Sequence, residues 1–456
     1  MVHDAPSCAA DCHGWASVLC YNSLFQQVTR YGREVRSRGV NRLVTYLAAA
    51  ICAVVMAACG GNGNTSVTTP NGNTVTNPIG NLKNRAFISN SFSGNLQVVD
   101  SANDTTAFYS SSNTNTSTTN QIADLAVRIP VGVSLTFELL SPDKGTTAVY
   151  DQSAIQLDLV DNTTNQRVAT VSLPAWAAMA AYSPDSKTIY VPVGNVVVPG
   201  SQPGAIQKID VQSASITATY PVPSVRWAAL SPSGNTLLAF TDNSDSMWLI
   251  DLTAATITPV AIPGFARPVN AFFSSDSSTA YVLNCGPQCG TNSAASVAQF
   301  DIPSKTIKAT VPVGGASVGL MNSSKLYVAG YPGGANGTLD AVDTSTMTRL
   351  TADSILINDG AQWKMALNNN KLYIGAKTCS NTTTGCLSIV DISTGKADPP
   401  GAPLGPVTGL QSIPNRTTMY VIQGGILNIY DTTTGKQQST QIGFRGALWD
   451  VLQIDQ

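Results

Sequence analysis

Residues 418–436 read TMYVIQGGILNIYDTTTGK, and the rest of the chain can be understood outward from them. MYVIQ is a short apolar run carrying Tyr420, LNIYD is a second that ends on Asp431, and DTTTGK is rich in turn formers. The Asp-terminated run returns eight times: LQVVD at Asp100, LDLVD at Asp161, IQKID at Asp210, MWLID at Asp251, VAQFD at Asp301, LDAVD at Asp343, LSIVD at Asp391 and LNIYD at Asp431. Ahead of it the aromatic run recurs with Tyr190, Tyr281, Tyr327, Tyr373 and Tyr420, Phe87 and Leu238 standing in the same place. Before that run lies an SPD or SPS turn at Ser141, Ser183 and Ser231, preceded by a small-residue apolar run.

Four short strands in every 40–50 residues, with no 3.6-residue apolar period after residue 85, predict an all-β chain that forms a single closed β-propeller of four-stranded blades. The span 85–456 favours eight blades, with seven as the alternative. The first unit begins directly on the Phe87 strand, whereas the chain ends on a surplus inner-strand pattern at residues 446–452. The C-terminal strand is therefore expected to close the ring with the N-terminal strands and remove the open edge. The repeated Asp and Tyr positions are read as turn and packing residues. The Tyr-Val strand, Val-Ile-Asp strand and Ser-Pro-Asp turn together resemble the YVTN family of propeller repeats across residues 85–456.

Composition agrees. Charged residues are 11% of 456, with 25 Lys and Arg against 27 Asp and Glu, so no basic excess exists to neutralise nucleic-acid phosphates. Only Glu34 and Glu138 are glutamates, and the abundant Asp belongs with Asn, Gly, Ser and Thr in turns.

The N-terminus reads as an address. Arg30, Arg33, Arg36, Arg38 and Arg42 precede an apolar stretch at residues 43–56, shorter than a comfortable membrane span, followed by small residues. Met56-Ala57-Ala58-Cys59 resembles the lipobox of bacterial lipoproteins, which implies removal of residues 1–58 and diacylation of Cys59. Residues 1–39 are long for such a leader, and a start at the Val40 codon is the alternative. Residues 59–84 hold the lipidated cysteine and a polar Gly/Asn/Thr tether expected to be flexible. The expected location is the exported, lipid-anchored face of the cell envelope, periplasmic or outer-membrane. Both histidines, His3 and His13, lie in the leader, so a cleaved chain has no His for a catalytic triad or metal site. The four cysteines that follow Cys59 are two close pairs, Cys285/Cys289 and Cys379/Cys386, which an oxidising compartment favours as local disulfides. A single four-thiolate zinc site is the competing reading.

Aligned by their turns, the inner strands place Glu138, Ala180, Ala228, Ala271, Gly319, Met365, Gln411 and Asp450 at one height. Glu138 and Asp450 then fall in neighbouring blades, flanked by Gln411, and such a pair could hold a cation or share a proton. Arg226, Trp227, Lys364, Trp363 and Trp449 are expected around the same mouth of the channel. No cofactor is expected beyond a channel-bound cation, and the chain is expected to be monomeric. The function expected is a non-catalytic envelope binding or scaffold module for a protein, glycan or cell-wall partner. The alternative is a propeller enzyme, lactonase-like or quinoprotein-dehydrogenase-like, with a His-free site at one channel mouth.

Overall fold

The computed structural model describes residues 82–107, 127–332, 336–379, 385–398, 405–438, 442 and 447–455, together with short strands at Ser66–Thr68, Thr74–Thr76 and Ser110–Ser111. The leader, Cys59 and most of the tether lie outside these residues. Residues 1–64 and 65–456 form two separate units. Within the stretch expected to be wholly flexible, Ser66–Thr68 pairs with Thr74–Thr76, which pairs in turn with Ser110–Ser111. The β-branched SVT and TVT segments give this part of the tether strand character.

Eight antiparallel four-stranded blades form a ring, so the protein is an eight-bladed β-propeller. Blade 1 is made by closure: the C-terminal strand Leu448–Gln453 pairs with Arg85–Asn90, which pairs with Asn95–Asp100. Its outer edge is split between Thr105–Thr106 and Arg128–Pro130. Blade 2 runs from Leu135–Leu140 through Thr146–Asp151 and Gln156–Asp161 to Gln166–Ser172. Blades 3 to 8 follow in chain order, with inner strands Ala181–Tyr182, Val225–Leu230, Pro268–Phe273, Val318–Asn322, Gln362–Asn368 and Val407–Ile413. Among the described residues the one helical element is a 3-10 turn, Gly286–Cys289.

The repeat works as local chemistry. In residues 418–436, Gly424 and Gly425 both have positive φ (59° and 78°), the backbone that a two-residue turn between Gln423 and Ile426 requires. Asp431 then accepts hydrogen bonds from Thr433 N (2.7 Å) and Thr433 Oγ1 (2.6 Å). Asp161, Asp251, Asp343 and Asp391 likewise accept from the N–H two residues on, and Asp210 and Asp301 from the N–H three residues on. At the inner hairpin Ser141 Oγ donates to Asp143 (2.6 Å) and accepts from Thr146 N (2.9 Å), and Asp143 N reaches Ser186 Oγ of blade 3 at 2.9 Å. Ser233 N repeats that step to Ser277 Oγ between blades 4 and 5.

Apolar side chains of the middle strands pack between adjacent blades rather than into one central core. Blades 7 and 8 meet through Tyr373, Ile389, Met419, Val421 and Tyr430. The seam has polar staples as well. Arg85 makes a two-pronged pair with Asp455 (2.7 Å at each prong) and donates to Asn162 O (2.6 Å) and Asn165 Oδ1 (2.7 Å) of blade 2. Arg416 of blade 8 grips Asp104 at 2.6 and 2.7 Å and also reaches the Ser101 carbonyl, and Tyr420 OH donates to Asp104 at 2.6 Å.

Antiparallel pairing sorts the loops onto two rims. Turns within the first and last hairpins of each blade share one, the turn rim. Loops joining strands two and three, and those between blades, share the other, the mouth rim.

Candidate functional site at the channel mouth

Inner strands begin at the mouth rim, and six of them begin with a register shift. The extra residue is Thr136, Arg226, Val269, Trp363 and Thr408 in blades 2, 4, 5, 7 and 8, and the shift in blade 1 falls at Trp449 and Asp450. A bulge bends the strand and re-aims its side chains. Trp449 Nε1 donates to Thr136 O (2.8 Å) and Trp363 Nε1 to Val407 O (2.7 Å), so each indole ties its blade to the inner strand of the next blade it meets.

Registered against the second strand of each blade, the inner positions differ from the turn-based alignment. Glu138, Ala228, Ala271, Gly319 and Met365 are equivalent, but their partners in blades 8 and 1 are Leu410 and Val451. Gln411 and Asp450 each stand one residue off. In blade 8 Ile413, ahead of Pro414, holds the place of Ser141, so the turn opens without a Ser, and the closing strand has no following turn to set its register. Asp450 therefore shares its place with Trp227 and Lys364. Gln411 is turned to its own chain, with Nε2 donating to Ser412 O at 2.8 Å.

The shift explains what meets what. Lys364 Nζ of blade 7 forms a short ion pair with Asp450 Oδ1 of blade 1. Blade 8 lies between those two blades, so the pair links inner strands two blades apart. Ala180, Ala228, Ala271 and Met365, at the position equivalent to Glu138, join the apolar packing between blades. Glu138 is thus a carboxylate at an inter-blade packing position, 9% exposed, with neither oxygen in a hydrogen bond. Burial and then the Asp450 charge push it well above the usual carboxylate range; Ser89 and Lys364 offset this only in part. The Ser89 hydroxyl lies within reach of the Asp450 main chain, accepting from Asp450 N at 2.8 Å. The two carboxylates do lie in adjacent blades and sense each other, with a lysine seated on one of them.

Around this pair the mouth is cationic. Lys364 Nζ lies 4.9 Å and Lys377 Nζ 3.9 Å from the Trp363 ring centre. Partial withdrawal from water, then the charges of Arg226 and Lys364, lower Lys377 from its ordinary range. Arg226 belongs to blade 4, so its charge reaches Lys377 of blade 7 across the mouth. Arg226 also pairs with Asp242 at 3.3 Å, both side chains more than half exposed. Trp227 instead packs on the apolar cluster of Leu238, Phe240, Ala271 and Phe300. Sequence reasoning missed Lys377, which follows the Tyr373 strand; its step past the strand end was the only available signal.

A pocket of about 340 Å³ begins at the next residue, lined by Thr378, Cys379, Asp359, Gly360, Ala361, Gln288 and Tyr331. Two disulfides flank it, Cys285–Cys289 and Cys379–Cys386. Gln288 Oε1 accepts from Tyr331 N at 2.7 Å and fixes one wall. Gly360 has φ +116°, and a Cβ there would fall 1.9 Å from Thr378 O, so only glycine lets this loop close.

The mouth rim is also apolar over an arc. Of the ten large hydrophobics exposed among the described residues, Ile426, Phe92, Val133, Ile155, Trp176 and Val197 sit on its loops in blades 8, 1, 2 and 3. The other four lie along outer strands and none on the turn rim. No described helix is long and apolar enough to cross a membrane.

No known protein family matches the chain, and no curated protein is a significant sequence match. Among solved structures it is similar to dihydro-heme d1 dehydrogenase NirN in complex with DHE, at a TM-score of 0.61 and 12% identity, over 82% of this chain and 75% of that one. A functionally unknown protein from Desulfotomaculum acetoxidans aligns at 0.48 and 18% identity, over 69% of this chain and 94% of that one. At 12% identity the likeness to NirN speaks for the fold alone.

Proposed function

We propose that the protein is a bacterial envelope lipoprotein with YVTN-type repeats, anchored through lipid on Cys59, whose propeller binds a protein, glycan or cell-wall partner on the mouth rim. The asymmetry of the two rims carries this reading. Turn-rim polar groups are spent on one another, while the mouth rim combines exposed apolar tips with a cationic, aromatic channel opening, the mixture found at interaction surfaces. The lipobox-like MAAC sequence and two disulfides support an exported location. The chain enters the ring at Arg85, which bonds the blade 2 turn at Asn162 and Asn165, so the ring begins from the turn rim.

Two measurements test it in the producing cell. Palmitate labelling is expected for the wild type and lost in Cys59→Ser. A photo-crosslinking side chain at Phe92 or Trp176 is expected to trap a partner, and one at Thr253 or Thr433 on the turn rim is not. Equal adducts from both rims would refute the binding face, and labelling that survives Cys59→Ser would refute the anchor.

A further inference from the structure

We propose that Lys377, Lys364 and Arg226 form, at the channel mouth, a binding site for a small multivalent oxyanion bearing phosphate or carboxylate groups. The proposal deepens the binding reading above and rests on it. Its geometry begins with Trp363, whose indole is fixed by the bond from Nε1 to Val407 O. Two ammonium groups gather on that ring, at 3.9 and 4.9 Å from its centre. Arg226 adds a third cation at the same rim: it is the bulge residue that opens the blade 4 inner strand, the place that Trp363 holds in blade 7.

The balance of counter-charge is the second observation. Asp450 neutralises Lys364 from below. Asp242 meets Arg226 only as an exposed pair, which water screens. Lys377 has no carboxylate partner among the described residues. Like charges held together cost free energy unless an anion shares them, and cations that converge in a concave mouth focus a positive potential on it.

None of this is a property of the repeat. The positions equivalent to Lys364 carry Phe137, Trp227 and Asn270 in blades 2, 4 and 5, so the lysine is a departure confined to blade 7. The pocket of about 340 Å³ that starts at Thr378 gives the body of a ligand somewhere to lie beside the anion. Its walls include Cys379 of one disulfide, Gln288 beside the other, and Gly360. An ammonium group offers three donors and a guanidinium five, which suits oxygens arrayed on phosphate or carboxylate.

Calorimetric titration of the full chain with inorganic pyrophosphate and, separately, citrate tests the site at about 50 mM and about 150 mM salt. Saturable binding of at least one probe is expected, weaker at the higher salt. Lys377→Glu is expected to weaken it about tenfold or more, and Lys377→Arg to keep it within about threefold. Lys308→Glu, the same charge change on the outer strand of blade 5, is expected to stay within about twofold. Pyrophosphate alone binding assigns a phosphate-bearing ligand, citrate alone a carboxylate-bearing one, and both a site that reads charge density; each supports the proposal. Two results overturn it: no saturable binding of either probe by folded wild-type chain, or equal weakening by Lys377→Glu and Lys308→Glu. Near-UV circular dichroism on each variant separates lost binding from lost folding. Should oxyanion binding fail while partner crosslinking at Phe92 persists, the site falls and the binding module stands.

Discussion

The turn rim and the mouth rim are built from the same eight hairpin sets, yet they use polar residues in opposite ways. On the turn rim Asp251, Asp343, Asp391 and Asp431 each accept from the hydroxyl and backbone of a Ser or Thr two residues on, which lowers each carboxyl below its ordinary range. Asp391, with Lys371 adding its charge, reaches about 2. Between the rims, at mid-strand in the channel wall, Glu138 is shifted the other way by burial, which Ser89 offsets only in part. One rim stabilises its charges and closes the ring. The other carries ion pairs at the channel opening, a Lys377 without a carboxylate partner among the described residues, and exposed apolar tips on its loops.

The sharpest way to break this contrast is at the seam. Arg85→Ala removes the two-pronged pair with Asp455 and both bonds to blade 2, leaving Asp455 mostly buried and unpaired. A loss of about 3 kcal/mol in urea unfolding is expected. Arg226→Ala, at the exposed mouth pair, should cost less than about 1 kcal/mol. Comparable losses at the two arginines would abolish the distinction between rims.

A smaller effect separates the channel wall from the turn rim by pH. Glu138 has a folded pKa above its unfolded one, so its contribution is fully present below the ordinary carboxylate range and is lost as pH rises through the folded value. The turn-rim aspartates behave oppositely: their contribution is present above the unfolded pKa and lost as pH falls toward about 2, the value for Asp391. Glu138→Gln should therefore gain on the wild type with rising pH, by on the order of 1 kcal/mol at about pH 8, with no gain at about pH 4. Parallel stability curves for the two proteins across that range would contradict the buried, proton-holding Glu138.

The smallest expected effect concerns a single repeat turn. Asp431→Ala deletes acceptors for Thr433 N and Oγ1 at the surface, where water replaces them, and should cost about 0.5 kcal/mol in the same unfolding assay. A loss as large as that of Arg85→Ala would mean that the turns, rather than the seam, hold the ring.

Much of the fold was legible because each repeat is locally encoded. Asp431 and its seven counterparts mark strand ends through bonds to residues two or three positions away, and such spacing can be read from the chain. The surplus strand at residues 448–453 pairs with Arg85–Asn90 as its inner-strand pattern foretold. The two cysteine pairs close loops short enough to be read as pairs. At the mouth the reading was partial. Glu138 and Asp450 lie in adjacent blades and sense each other's charge, but counting back from turns missed that Ile413 holds the Ser place in blade 8, and there is no turn to count from after the closing strand. Gln411 was placed one residue out for the same reason.

Sequence alone pointed to four-stranded blades, eight favoured over seven, and to the closure, since both follow from residue types at short or regular spacing. Tertiary structure decided that Lys364 reaches Asp450, that Lys377 joins it on Trp363 under the charge of Arg226, and that Arg85 meets Asp455. Those partners lie far apart along the chain and come together only when bulged strands converge on one axis. Their meeting depends on how the ring bends and closes, a property that no local pattern of residues contains.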